Sequence, residues 1–125
     1  MPLKVSVQDR GEGTYTIRPE GSIDTNTFMT LQNEVDPILG KSPKVIIFDM
    51  KDVNYVSSAG VGVVLLAEQT LKENNGKVLM VNLQPQIKKV FDIVKALPDQ
   101  QVFSSMEEMD RYLKEIQRRV KEGEM

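Results

Sequence analysis

At 125 residues with a formal net charge of -2, 40% hydrophobic and 27% charged residues, the chain has the size and balance of one globular domain. A domain of that size buries roughly two-thirds of the surface its unfolded form exposes. It contains neither cysteine nor histidine. That excludes disulfides, thiolate nucleophiles, sulfur-ligated metals and any Ser-His-Asp or Cys-His catalytic arrangement, so no metal or cofactor is expected.

The slightly acidic balance argues against a nucleic-acid surface or an anionic-membrane surface, either of which needs clustered positive charge. No run approaches the ~20 apolar residues that span a bilayer, and Met1-Pro2-Leu3-Lys4-Val5-Ser6 lacks the apolar core of a signal peptide. The expected location is cytoplasmic, with no membrane partner.

In chain order, Leu3 to Val7 and Thr14 to Arg18 are short β-favouring runs joined by Asp9-Arg10-Gly11-Glu12-Gly13, which predicts a hairpin, its second strand resuming through Ile23. Asp24 and Thr25 offer N-cap side chains to a helix whose apolar stripe is Phe28, Leu31, Val35 and Ile38, and Gly40 and Pro43 stop it. Lys44 to Asp49 has the unbroken β-branched and aromatic centre of a strand buried on both faces. After the turn Val56-Ser57-Ser58-Ala59-Gly60, a helix from Val61 to Glu73 is predicted, ended by Asn74-Asn75-Gly76. Lys77 to Asn82 is a second buried-type strand, so these elements make a right-handed β-α-β unit.

Pro85 opens a further helix carrying Ile87, Val90, Phe91 and Val94, and Pro98 closes the loop behind it. Gln101-Val102-Phe103 is a candidate edge strand. Ser104 and Ser105 stand at capping-box spacing from Glu107 and Glu108. The last helix carries Met106, Met109, Leu113, Ile116 and Val120 on one face, and its charged end mixes Arg118, Arg119 and Lys121 with Glu115, Glu122 and Glu124. The expected architecture is α/β: one domain over residues 1–125, its core within 3–104 and its C-terminal helix at about 105–121. A mixed sheet of four to five strands is covered by about four helices, in the order β-β-α-β-α-β-α-β-α.

Sites in open α/β sheets gather beyond the carboxyl ends of parallel strands, where helix N-termini present free amides. That rule brings Asp24, the Ser57-Ser58 turn and Gln84 to one end of the sheet. A phosphate on the turn would meet backbone amides and the positive end of a helix dipole. Gly60 and Gly62 are poor helix formers and leave room either for close packing on the sheet or for another molecule's approach. Equally, a serine before a helix is in most proteins an N-cap and nothing more, and Asp24 suits the same role.

The run Ile46-Ile47-Phe48-Asp49, followed by Val53-Asn54-Tyr55-Val56-Ser57-Ser58-Ala59-Gly60-Val61-Gly62-Val63-Val64-Leu65-Leu66, resembles the signature of bacterial anti-sigma factor antagonists. Gly21-Ser22-Ile23-Asp24, Asn75-Gly76-Lys77 and Asn82 to Asp92 are similar to further landmarks of that family in the same order. Its domain, called STAS, is shared with the cytoplasmic part of sulfate transporters. The resemblance implies a phosphorylation switch. The unphosphorylated protein binds an anti-sigma factor that is also a serine kinase, phosphorylation ends that contact, and a serine phosphatase restores it.

The acceptor position falls on Ser58, and the kinase-contacting aspartate on Asp24. The implied partner-binding set is Asp24, Thr25, Ser57, Ser58, Ala59, Gly60, Val61 and Gln84. Ser57 stands where the family often has aspartate, and Ala59 differs from the family's residue before glycine, which makes Ser57 the second candidate acceptor. The expectation is therefore a regulatory monomer or weak dimer that is not an enzyme. The turn lacks the Gly-x-Ser-x-Gly nucleophile elbow, since Val56 stands at the first glycine. The alternative is an unphosphorylated scaffold or ligand-binding module on the same fold.

Overall fold

The computed structural model of the protein describes residues 3–94 and 102–121. Its first two strands, β1 (Lys4–Gly11) and β2 (Thr14–Ile23), form the expected antiparallel hairpin. Glu12 and Gly13 between them have φ of 56° and 78°, the pair of left-handed conformations that fits a two-residue loop to the strands' twist.

β2 runs unbroken through Pro19 because it changes partner there. Thr14 to Ile17 pair in parallel with β3 (Val45–Asp49), and Glu20 to Ile23 pair in parallel with β4 (Asp52–Val56). Proline has no N–H to give a ladder, and Pro19 falls in the gap between the two pairings. β5 (Lys77–Val81) lies parallel on the other side of β3, and β6 (Val102–Phe103) follows it. Among the described residues the sheet is mixed and six-stranded, in the order β1-β2-β3-β5-β6, with β4 continuing past β3 along β2.

That is one strand more than the four to five expected. β4 escapes a pattern reading because its register with β2 shifts between Gly21 and Ser22. Its buried residues are therefore Val53 and Val56, three apart, and the alternation that marks a strand is lost.

Among the described residues four helices cover this sheet: α1 (Phe28–Leu39), α2 (Ser58–Glu73), α3 (Pro85–Val94) and α4 (Met106–Lys121). Alternation along β3 and β5 divides the core between two faces. Ile46, Phe48, Val78 and Met80 join Leu31 and Val35 of α1, Val64 and Leu71 of α2, and Ile87 and Phe91 of α3. Ile47, Leu79 and Val81 pack with Phe103 and Met109 on the other face, under α4, with Met106 and Leu113 at the margin. The Met106 and Met109 stripe is thus core, and the C-terminal helix is seated on the sheet. Ser105 Oγ accepts from the Glu108 N–H (3.2 Å) at its start, as the capping-box spacing predicts. Pro98, Gln101, Glu122 and Glu124, with the side chains of Val94, Ile116, Arg119, Val120 and Lys121, lie outside the described residues.

Candidate protein-docking site

The site is built where β2 and β4 end side by side. Ile23 and Val56 are register partners, and the Ser57 N–H donates to the Ile23 carbonyl at 2.8 Å. Two chain segments therefore leave the sheet together, one entering Asp24 and the other the serine turn. Ser57 is extended (φ -92°, ψ 173°), and its Oγ accepts from the Gly60 N–H at 3.3 Å, the N-cap arrangement. Its carbonyl accepts the first helical bond, from Val61 N at 3.0 Å. This cap is why α2 begins at Ser58, three residues earlier than the apolar pattern suggests. The capping role belongs to Ser57, and Ser58, at the first helical position, is exposed.

Asp24 does not cap α1, contrary to the reading from sequence. The helix starts four residues later, after Thr27. Asp24 instead folds its own turn: Oδ1 accepts from the Asn26 N–H at 2.8 Å, and the Asp24 N–H donates to Thr27 Oγ1 at 2.9 Å. The Thr27 hydroxyl proton lies between two acceptors, Ser22 O at 2.7 Å and Asp24 Oδ1 at 3.1 Å. The Asn26 amide, with help from Thr27, holds the Asp24 carboxyl below the usual carboxylate range. A fixed negative charge results, with Thr25 exposed beside it.

β4 has β2 on one side and side-chain amides in place of a strand on the other. Gln84 Nε2 donates to the Lys51 carbonyl (3.1 Å), and Gln86 Nε2 reaches the Asn54 carbonyl (3.4 Å) and Gln84 Oε1 (2.7 Å). Ser22 Oγ donates to Asn54 Oδ1 at 2.9 Å, tying down the shifted register. Just before β4, Asp49 is 2% exposed and accepts from Arg18 Nε, Asn82 Nδ2 and Lys51 N at 3.1, 3.1 and 3.2 Å. Ser22, Asn54, Gln86 and this carboxylate cluster support the serine turn, and although the family landmarks include them, nothing in the sequence assigned them that role, because they act through register.

The eight residues expected to bind a partner are thus only partly a surface. Thr25 and Ser58 stand exposed at one sheet edge, with Asp24, Ala59 and Ser57 partly buried beside them. Gly60 and Val61 are buried beneath this edge: Val61 is 3% exposed in the core, and a Cβ on Gly60 would lie 2.6 Å from Ile23 Cγ2 and 2.7 Å from Val56 Cγ2. Gln84 is partly buried, its Nε2 donating to the Lys51 carbonyl and its Oε1 accepting from Gln86 Nε2. Tyr55, 53% exposed, adds an aromatic ring just before the turn. A hollow of about 250 Å³ lined by Arg10, Thr14, Asp110 and Leu113 lies at the opposite end of β2, away from this edge.

The model of the STAS domain matches residues 6–109. The chain belongs to the STAS domain family. Among its STAS relatives is a Bordetella bronchiseptica protein described as an anti-sigma factor antagonist, BtrV. It is 27% identical over 85 residues, 68% of this chain and 73% of that one. The anti-sigma-B factor antagonist of Listeria monocytogenes is 23% identical over 93 residues, 74% of this chain and 82% of its own. The fold is that of the anti-sigma factor antagonist SpoIIAA in its unphosphorylated form, with a TM-score of 0.76 at 19% identity, covering 89% of this chain and 96% of that one. SpoIIAA of Bacillus in its phosphorylated form superposes with a TM-score of 0.71 at 21% identity, covering 87% and 99%. Among the described residues no helix is long and apolar enough to cross a membrane.

Proposed function

We propose that this STAS domain is an anti-sigma factor antagonist switched by phosphorylation of Ser58. Unphosphorylated, it binds an anti-sigma factor with serine kinase activity through the edge formed by Asp24, Thr25, Ser58 and Ala59, freeing a sigma factor for transcription. Phosphorylated, it lets go, and a serine phosphatase returns it to the binding state. The chain is then the substrate of another protein's catalysis and works in the cytoplasm, where transcription takes place.

The observation that carries this reading is the division of labour between the two serines. Ser57 Oγ is occupied by the Gly60 amide, whereas Ser58 is exposed at the first position of α2. A phosphate on Ser58 would sit by the free amides of a helix start, where negative charge is stabilising, so modification need not disturb the fold. It would add about two negative charges beside the fixed charge of Asp24. A partner that packs against Asp24 then meets like-charge repulsion and lost fit together. Named relatives that are anti-sigma factor antagonists support the role.

The test is incubation of the recombinant chain with ATP and the host's anti-sigma factor kinase, followed by phosphosite mapping. The reading expects stoichiometric phosphate on Ser58 and none on Ser58→Ala. Phosphate on Ser57 alone overturns the residue assignment, and its absence from both serines favours the unmodified scaffold.

A further inference from the structure

Among the described residues β1 pairs with β2 on one side and with no strand on the other, and every residue in it except Val5 is exposed. Val5 stands opposite Pro19. Proline has no N–H to give, so this is one of the pairs through which no bond between β1 and β2 runs. Ile23, of the same parity as Pro19 along β2, has its carbonyl turned the same way, toward Ser57 beyond β4. By alternation, Lys4, Ser6 and Gln8 carry the bonds between β1 and β2, and the N–H and C=O groups of Leu3, Val5 and Val7 point out from the sheet.

Natural sheets close such edges with charge, proline or a bulge, because an unpaired strand is a template for another. β1 does so at its far end alone. Its register shifts between Asp9 and Gly11, Asp9 Oδ1 accepts from the Gly11 N–H at 2.8 Å, and Arg10 turns to α4, where Nη2 meets Asp110 Oδ1 at 3.3 Å. Residues 3–8 carry a single charge, Lys4, with Glu20 beside it on β2. Leu3, Val5 and Val7 share the face that Ile17 occupies on β2. Leu3 and Val5 reach the core, whereas Val7 is 40% exposed.

We propose that a second copy of this chain pairs with β1 edge to edge, antiparallel about a two-fold axis at Val5. A two-fold places the same patch of both copies in contact, and charge selects its centre. Centred on Val7, Lys4 would face Arg10 of the other copy; centred on Lys4, it would face itself; centred on Ser6, Asp9 would face Leu3. Centred on Val5, Leu3 faces Val7, Val5 faces Val5 and Lys4 faces Ser6, so apolar side chains pair on one face and no like charges stand opposite on the other. The outward N–H and C=O groups of Leu3, Val5 and Val7 then bond across the axis, and the sheet continues through both copies. Residues 3–7 fall far short of the ~20–30 residues a side of a stable interface, so the dimer is weak and forms with rising concentration. β2 separates β1 from β4, so each copy keeps Thr25 and Ser58 free and the pairing does not rest on the reading of the Ser58 edge.

The test is analytical ultracentrifugation of the full chain over a concentration series, beside Val7→Pro and Val7→Lys, with Tm measured on dilute protein. The wild type is expected to pass from monomer to dimer by about 1 mM. Val7→Pro removes an N–H that β2 does not use, and Val7→Lys sets a charge opposite Leu3. Each should weaken the dimer at least tenfold while moving the Tm of dilute protein by less than about 3 °C. Amide exchange reads the same contact in the wild type: the Val5 and Val7 amides should slow as concentration rises, and those of Ser6 and Gln8 should be slow throughout. A wild type that stays monomeric to about 1 mM, a dimer that both variants leave intact, or Val5 and Val7 amides indifferent to concentration overturns the proposal.

Discussion

The Ser57 N–H donates to the Ile23 carbonyl at 2.8 Å, and this one bond sets the geometry of the proposed switch. It closes the last rung between β4 and β2, so that Asp24, next after Ile23, and Ser58, next after Ser57, leave adjacent strand ends. In the proposed switch, Asp24 carries a constant charge and Ser58 would gain one on phosphorylation. The proposed switch rests on two backbone segments held in fixed register.

The two serines should respond differently to removal. Ser57→Ala deletes the side-chain cap on the Gly60 amide and is expected to cost about 1 kcal/mol in urea denaturation. Ser58→Ala removes an exposed hydroxyl and should change stability by less than about 0.5 kcal/mol while abolishing phosphate uptake.

Gly60→Ala should destabilise by about 1–3 kcal/mol, because the methyl group has Ile23 and Val56 side chains in its place and both are packed in the core. Chemical denaturation measures this directly. A cost below about 0.5 kcal/mol would mean that β2 and β4 yield more readily than their packing indicates.

Asp49→Ala should cost about 2 kcal/mol by the same method, mostly through the amides it strands. Arg18 is half exposed and regains water, but Asn82 Nδ2 and Lys51 N lose their buried acceptor. Since Lys51 leads into β4, amide exchange in the serine turn should also quicken in this variant.

Asp24 makes a prediction in pH. Its folded pKa is depressed by the Asn26 amide, so its contribution to stability is complete above the ordinary carboxylate value of about 3.9. It is lost as pH falls through the lower folded value. NMR titration of the carboxyl carbon should place its midpoint below that of an exposed aspartate. Asp24→Asn keeps the acceptor for Asn26 but not the charge, so it should flatten this acid limb by lowering Tm slightly at pH 7, and weaken kinase binding.

Much of this was legible in the sequence because its signals are local. The hairpin, the helical stripes of α1 and α3, the buried runs of β3 and β5 and the capping serine of α4 each follow from periodicity, turn residues or spacing. Asp24 was misassigned as an N-cap because Asp-Thr-Asn-Thr offers several capping side chains in four residues, and the turn at Asn26 and Thr27 selects none of them. β4 and its amide struts were hidden for a different reason. Asn54 and Gln86 are ordinary polar residues that matter only because a register shift places a carbonyl where no strand follows. Gly60 and Gly62, alike on paper, separate only when the space beside each is known.

The central claim is that one exposed hydroxyl controls a protein contact. The most direct measurement is the affinity of the host anti-sigma factor kinase for the chain before and after stoichiometric phosphorylation at Ser58, with circular dichroism confirming the same fold in both. The account predicts affinity at least tenfold weaker for the phosphorylated form, matched by Ser58→Asp, with secondary structure unchanged. Equal affinity of the two forms would contradict it.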